Sequence, residues 1–227
     1  MELLSQNPAA FIRPSPSACS LGGVAEKTRE TMLVCEASGF DVIIVETVGV
    51  GQSEVAVADM VDFFLVLMLP NAGDELQGIK KGILEIADTV IVTKADGDNI
   101  SNAREAQSIY QQSFHVLPPQ SSGWKPVVLT TSVRTGQGIK DVWKVIMDFQ
   151  QSTKLSGYFD RNRSLQTITW FQEYFKFLLE ADLQKFENIQ RKRKNLEQSV
   201  IDQVITPQVA ARQLLEAYHQ AIRDSTF

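Results

Sequence analysis

The chain has 227 residues, 44% of them hydrophobic and 22% charged, enough to bury a substantial core in one α/β domain with a helical appendage. A formal net charge of −5 argues against a general nucleic-acid or membrane-surface binder, which needs a basic face to release counterions. Cys19 and Cys35 form neither a Cys-x-x-Cys pair nor part of a His cluster, which leaves no zinc site or disulfide framework to read and fits reduced cytosolic thiols.

The amino terminus, Met1-Glu-Leu-Leu-Ser-Gln-Asn7, has no basic stretch followed by a long apolar run, so no secretory signal is expected. Residues 1–23 hold Pro8, Pro14, Pro16, Gly22 and Gly23 among serines, which is loop chemistry. Residues 24–38 read as a helix, with Gly39 where a helix stops. Residues 41–48 follow as a strand nearly continuous in β-branched side chains, as a parallel strand covered on both faces should be. Glu46 stands at its end, ahead of a glycine turn. Taken alone, it is either a surface carboxylate at a fraying tip or an acid aimed at a magnesium ion.

A second apolar strand, residues 63–69, ends at Pro70 and the turn-prone Asn71-Ala-Gly-Asp74. This run falls well short of the roughly 20 residues that span a bilayer, so no transmembrane helix is expected. Residues 77–87 read as a helix and 89–93 as a third strand, whose end carries Lys94-Ala-Asp96. A helix over 101–117 precedes a fourth strand, 126–131, ending at Ser132-Val-Arg-Thr-Gly-Gln-Gly138. Four strands feeding polar loops at one edge match the way open α/β sheets bind ligands.

Beyond about Gln150 the strand signals cease. Residues 165–186 place Trp170, Phe171, Tyr174, Phe175, Leu178, Leu179 and Leu183 at mostly three- and four-residue spacing, a broad apolar helix face. Thr206-Pro207 is an N-cap and first-turn pair for a last helix whose Val209, Leu214, Leu215, Tyr218 and Ile222 are available to pack on it. Such a face suits a local helical cap or subunit association equally. The run Arg191-Lys-Arg-Lys194 reads as a solvated helix face.

Thr93-Lys-Ala-Asp96 stands close to the Asn-Lys-x-Asp element by which GTPases read guanine. There the Asp carboxylate accepts from the base N1–H and exocyclic amine, a donor pair adenine lacks, while the Lys stem lies along the base plane. Ser132-Val133-Arg134 comes 36 residues after Asp96 at the next strand end, where GTPases place a short loop whose backbone N–H groups contact the guanine carbonyl. The spacing suits a βαβ unit.

The stretches Phe11-Ile-Arg-Pro-Ser-Pro16, Leu21-Gly-Gly23, Val45-Glu-Thr-Val-Gly-Val-Gly-Gln-Ser-Glu54 and Gly73-Asp-Glu-Leu-Gln-Gly-Ile-Lys-Lys-Gly82 resemble the MeaB/ArgK-type GTPases, the methylmalonyl-CoA mutase-associated G proteins. The resemblance runs from about Ala10 to the last helix. It implies an α/β, P-loop NTPase-type, mostly parallel sheet, with a partial GTPase domain over residues 1–150 and a helical dimerisation extension over 151–227. It further implies a cytoplasmic homodimer using GTP or GDP and Mg2+. The implied partner is methylmalonyl-CoA mutase or a related adenosylcobalamin-dependent mutase, whose assembly, protection and reactivation are coupled to GTP hydrolysis.

Carried over by position, Glu46 is the Walker-B acid that approaches magnesium through a water, and Gly49 the glycine that senses the γ-phosphate. Gln52, inside a switch over residues 50–54, is a candidate for orienting the attacking water. Asp74, Glu75 and Lys80 match an additional switch that passes the nucleotide state to the mutase. Lys94 and Asp96 match the guanine readers, and Ser132, Val133 and Arg134 the final base loop.

Two departures from the family pattern stand out. Thr93 replaces the usual Asn, so a hydrogen bond bracing the nucleotide loops is lost or taken over by the Thr hydroxyl. No Gly-x-x-x-x-Gly-Lys-Ser/Thr occurs, so the sequence lacks that phosphate cradle, its lysine and its magnesium-binding hydroxyl. An amino-terminally truncated family member is therefore expected, with the strands over 42–48 and 63–69 facing a gap between them. The other readings are a nucleotide-dependent kinase of arginine or ornithine transport, and a non-catalytic fragment that dimerises or binds a partner.

Overall fold

The computed structural model describes residues 2–14, 21–47, 53–70 and 81–225. The chain divides into two compact units, Met1–Gln166 and Thr167–Phe227. In the first, α1 (Glu2–Ser5), α2 (Leu21–Ala37) and α3 (Ser53–Ala58) precede β1 (Leu65–Met68). Then follow α4 (Lys81–Ile86), β2 (Thr89–Val92), a 3-10 turn (Gly97–Asn99), α5 (Ile100–Val116), β3 (Val127–Thr130) and α6 (Ile139–Leu155). A long helix, α7 (Tyr158–Gln184), runs across the boundary between the units, and α8 (Glu187–Ile201) and α9 (Pro207–Ser225) complete the second.

The three strands form a parallel sheet in the order β1-β2-β3, with Leu65 opposite Thr89 and Thr89 opposite Val127. All four residues of β2 are buried, which is what a central strand covered on both faces requires. Its one polar side chain is satisfied, because the Thr89 hydroxyl donates to the Val127 carbonyl at 2.8 Å. The core gathers Val66, Met68, Val90, Val92 and Val128 from the sheet with Leu84 from α4. From α5 come Ala103, Ala106 and Tyr110, and the two alanines suit a close approach of that helix.

The two edges of the sheet are treated differently. At β3, the Gln107 side-chain amide of α5 donates to the Val128 carbonyl at 2.7 Å, and the Gln111 carbonyl accepts from Val128 N–H at 3.2 Å. Two glutamines thus do the work of a neighbouring strand and blunt that edge. On its other side β1 has no neighbouring strand among the described residues. The Leu67 side chain there is 64% exposed.

The expected strand over residues 42–48 is not formed across 42–47, which are irregular; Val48 lies outside the described residues. Ile44 is 85% exposed and Val42 is also exposed, so the β-branched run is not the buried strand its composition suggests. Strand conformation needs a laddered neighbour as well as β-branched side chains, and this segment has none among the described residues. The described sheet therefore has three strands rather than four. The helix expected to stop at Gly39 does so: α2 ends at Ala37, and Gly39 adopts a left-handed φ of 86° while its N–H donates to Glu36.

The first turns of α7 are fastened to the segment ahead of β1. The Arg163 guanidinium donates to both oxygens of Asp62 at 2.7 and 2.6 Å, pairs with Glu36 at 2.9 Å and lies over the Phe159 ring. Gln166 adds a bond to the Val61 carbonyl at 2.9 Å.

In the second unit Ile189, Tyr218 and Ala221 are buried with Leu183, Phe186, Leu214 and Ala217 packed around them. The Tyr218 hydroxyl donates to the Asp182 carboxylate, which holds the phenol above and the carboxyl below their usual ranges. The anticipated cap of α9 is present, with Val209 N–H donating to the Thr206 hydroxyl at 3.4 Å. The apolar face of α7 is a different matter. No residue of α7 is buried, Phe171 is 69% exposed, and Phe171 and Phe175 stack on each other.

Candidate functional site: the loops after the second and third strands

The loop leaving β2 is anchored on both sides. Thr93 N–H and the Thr93 hydroxyl both donate to the Met68 carbonyl at the end of β1, at 2.8 and 3.0 Å. Lys94 then takes a left-handed φ of 56°, rare for a residue with a side chain. Ala95 N–H donates to the Thr131 carbonyl beyond β3 at 2.9 Å, which turns the chain toward the third strand. Asp96 emerges in extended conformation as the residue before the 3-10 turn, yet its carboxylate makes no capping bond there.

That carboxylate is held instead by the loop after β3. Ser132, fully buried, donates its hydroxyl to Asp96 Oδ2, and Arg134 places a guanidinium nitrogen 3.6 Å from Asp96 Oδ1. The same Ser132 oxygen accepts from Thr135 N–H at 3.3 Å, and Ser132 N–H donates to the Gln137 carbonyl at 3.0 Å. The loop is thereby folded back on itself. The amides of Val133 and Arg134 make no hydrogen bond among the described residues, and the Val133 side chain is 86% exposed.

Gly138 makes this turn possible. At φ 77° it leads into α6, and a Cβ there would sit 2.3 Å from the Thr130 carbonyl oxygen. Only glycine lets the helix start so close to the end of β3.

Chemically, the two loops offer one oriented carboxylate at Asp96, backbone donors at Val133 and Arg134 that are unbonded among the described residues, and the exposed Lys94 two residues before Asp96. A planar ring with adjacent N–H donors and a nearby carbonyl acceptor complements that set. Residues 1–211 match the family described as Methylmalonyl Co-A mutase-associated GTPase MeaB. This chain belongs to that family.

Relatives agree. A Caulobacter vibrioides protein is 45% identical over 218 residues, covering 96% of this chain and 67% of its own length. GTPase ArgK of Escherichia coli is 41% identical over 216 residues, 95% of this chain and 65% of its own. The mouse methylmalonic aciduria type A homolog, mitochondrial, is 41% identical over 215 residues, 95% of this chain and 52% of its own. A solved structure described as the crystal structure of LAO/AO transport system kinase superposes with a TM-score of 0.77 at 38% identity, covering 95% of this chain and 68% of that one. The MeaB-family chain thus spans between about half and two thirds of these relatives.

Of the remaining positions singled out in the sequence, only Glu46 falls among the described residues. Glu46 lies exposed on the irregular stretch over residues 42–47 and makes no ion pair among the described residues. Gly49, Gln52, Asp74, Glu75 and Lys80 lie outside the described residues. Two features of the MeaB-family site were not read from the sequence: the engagement of Arg134 with Asp96 and the closing role of Gly138. The Thr-Gly-Gln-Gly string after Arg134 carried the signal for the second, since paired glycines at a strand-to-helix junction mark a turn that side chains would obstruct.

Proposed function

We propose that this MeaB-family chain carries the guanine-recognition loops of a G protein that hydrolyses GTP and serves an adenosylcobalamin-dependent methylmalonyl-CoA mutase. The observation that carries this reading is the Asp96 carboxylate, released from capping and held by Ser132 beside the unbonded amides of Val133 and Arg134. In this reading Asp96 accepts from the guanine N1–H and exocyclic amine, displacing the Arg134 guanidinium from Oδ1. The Val133 and Arg134 amides donate to the base carbonyl, and the Lys94 methylenes cover one face of the ring while its ammonium stays in water. Adenine presents an acceptor where Asp96 needs a donor, and the resulting unpaired polar groups exclude it.

For magnesium, the residue this chain would supply is Glu46, acting through a water as its position in the family pattern implies. Glu46 is a lone exposed carboxylate, and no three His, Cys, Asp or Glu converge among the described residues. Phosphoryl transfer is accordingly assigned to the family protein in which a phosphate-binding loop completes the site, with Glu46, Gly49 and Gln52 in the roles their positions imply. Asp74, Glu75 and Lys80 are proposed to report the nucleotide state to the mutase. A second copy of the chain is proposed to cover the apolar face of α7 as a homodimer, because Phe171, Phe175 and Leu178 would otherwise remain in water.

The test is fluorescent-GDP binding by the 227-residue chain, displaced by GDP or ADP, with GTP turnover followed in parallel. Displacement by GDP alone, without turnover, is expected. Equal displacement by ADP removes the base site, and turnover removes the dependence on a phosphate loop. Sedimentation velocity on the same sample is expected to show a dimer, and a monomer at all concentrations rejects the α7 interface.

A further inference from the structure

Asp96-Gly97 is the one Asp-Gly pair in the sequence, and no Asn-Gly pair occurs. An aspartyl carboxyl followed by glycine is open to attack by the glycine's own backbone nitrogen, because no Cβ shields that nitrogen or stiffens the backbone around it. A bond forms between Gly97 N and Asp96 Cγ, and the N–H proton leaves with the carboxyl OH as water. The five-membered imide then takes up water at either of its two carbonyls. Opening at Cγ restores aspartate; opening at the backbone carbonyl gives isoaspartate, with the chain running through the former side chain.

The loop leaves the attacking nitrogen accessible. Gly97 is exposed at φ 54°, with nothing within 4 Å of where a Cβ would stand. The restraint lies on the Asp96 side. Ring closure requires the Gly97 nitrogen to eclipse the Asp96 Cα–Cβ bond, and at ψ 165° it stands to one side. Asn99 N–H holds the Asp96 carbonyl in that orientation at 3.1 Å. The carboxylate is held by the Ser132 hydroxyl at Oδ2. Ser132 is fully buried and fixed by its bonds to Thr135 N–H at 3.3 Å and the Gln137 carbonyl at 3.0 Å, so it cannot follow a carboxyl that turns toward Gly97. Arg134, 84% exposed and 3.6 Å from Oδ1, is a looser partner.

We infer that Asp96-Gly97 is a site of spontaneous isoaspartate conversion, that the Ser132 hydroxyl holds the reaction back, and that conversion ends base reading at residue 96. The first two parts stand on the chemistry of this loop alone, and the third rests on the guanine reading of the site. In isoaspartate the carboxylate is attached directly to Cα and the backbone is one carbon longer. The carboxylate then no longer stands where the Ser132 hydroxyl meets it.

The test holds the 227-residue chain at physiological temperature and neutral pH, native and in urea, and measures isoaspartate at residue 96 by peptide mapping with mass spectrometry. In urea, wild type and Ser132→Ala are expected to convert at one rate, and Gly97→Ala, whose Cβ crowds the attacking nitrogen, scarcely at all. Native wild type is expected to convert more than about tenfold slower than in urea. Native Ser132→Ala is expected to convert about tenfold faster than native wild type, the worth of one hydrogen bond to a charged group, and Ser132→Thr, which keeps the hydroxyl, to stay within about twofold of wild type. Circular dichroism checks that each native variant is folded. Native wild type converting as fast as in urea would overturn the inference, as would a folded Ser132→Ala no faster than wild type, a folded Ser132→Thr as fast as Ser132→Ala, or isoaspartate forming chiefly elsewhere. Preference for GDP over ADP, followed with fluorescent GDP on the same samples, is expected to fall in step with the converted fraction; constant preference as isoaspartate accumulates overturns the third part. A fresh chain with no preference for GDP over ADP instead rejects the guanine site itself, which separates the two failures.

Discussion

Asp88 sits at the amino end of β2, the opposite end from Asp96, and it offers a stability measurement that leaves the candidate site untouched. Its carboxylate accepts from Phe64 N–H at 2.8 Å, while its backbone carbonyl accepts from the Trp124 indole at 3.0 Å. Burial pushes its carboxyl up from 3.8 to about 7, against the smaller opposing pull of the Phe64 N–H. Because the folded value lies above the unfolded one, the group's full contribution to stability is present below pH 3.8 and is lost as pH rises through 7. At 1.36 kcal/mol for each pKa step, the total is about 4 kcal/mol, of which about 2 kcal/mol falls between roughly pH 5.5 and pH 8.5. Asp88→Asn keeps an acceptor for Phe64 N–H and cannot ionise. Urea unfolding of both proteins at those two pH values, followed by tryptophan fluorescence, is expected to show the variant gaining about 2 kcal/mol on wild type from the lower to the higher pH. A difference independent of pH would mean that Asp88 is ionised in the folded protein, and the burial argument would be refuted.

Further substitutions examine the packing and the turns. Tyr110 is buried with its hydroxyl unpartnered among the described residues and its phenol pushed upward by burial, so Tyr110→Phe is expected to raise unfolding stability by about 1 kcal/mol; a loss would reveal a partner for the hydroxyl. Gly138→Ala drives a Cβ against the Thr130 carbonyl and is expected to cost about 3 kcal/mol or more. Gly123→Ala, also left-handed but with open space around it, should cost only about 1 to 2 kcal/mol, and equal losses would remove the steric account. A double-mutant cycle over Arg163→Ala and Asp62→Ala should return a coupling of up to about 1 kcal/mol that shrinks in high salt, since both groups are partly exposed. Coupling that salt does not change would point to packing rather than charge.

What could be read from the sequence was local. Residues 89–92 are a β-branched run between turn signals, and they form the buried central strand because neighbours lie on both sides. Residues 42–47 have the same composition and form no strand, because the pattern records which side chains suit a sheet and says nothing of whether a partner strand is at hand. The guanine-type pattern at Thr93, Lys94 and Asp96 was legible because each residue's chemistry is carried within four positions. Its supports were not: that Thr93 turns to Met68, and that Arg134 stands at Asp96, depends on contacts across 25 and 38 residues of chain. Gln107 and Gln111 likewise read as ordinary helix polar residues, and only the parallel register of β3 makes them the cover of an open edge.

The central claim is that Asp96 reads guanine, and Asp96→Ala tests it most directly. Competition of GDP and ADP for fluorescent GDP on the wild-type and variant chains gives a selectivity ratio that does not depend on how tightly the phosphates are held. Strong preference for GDP is expected in the wild type and a ratio close to one in Asp96→Ala, with the fold intact by circular dichroism. A variant that binds nucleotide and still prefers GDP as strongly as wild type would contradict it.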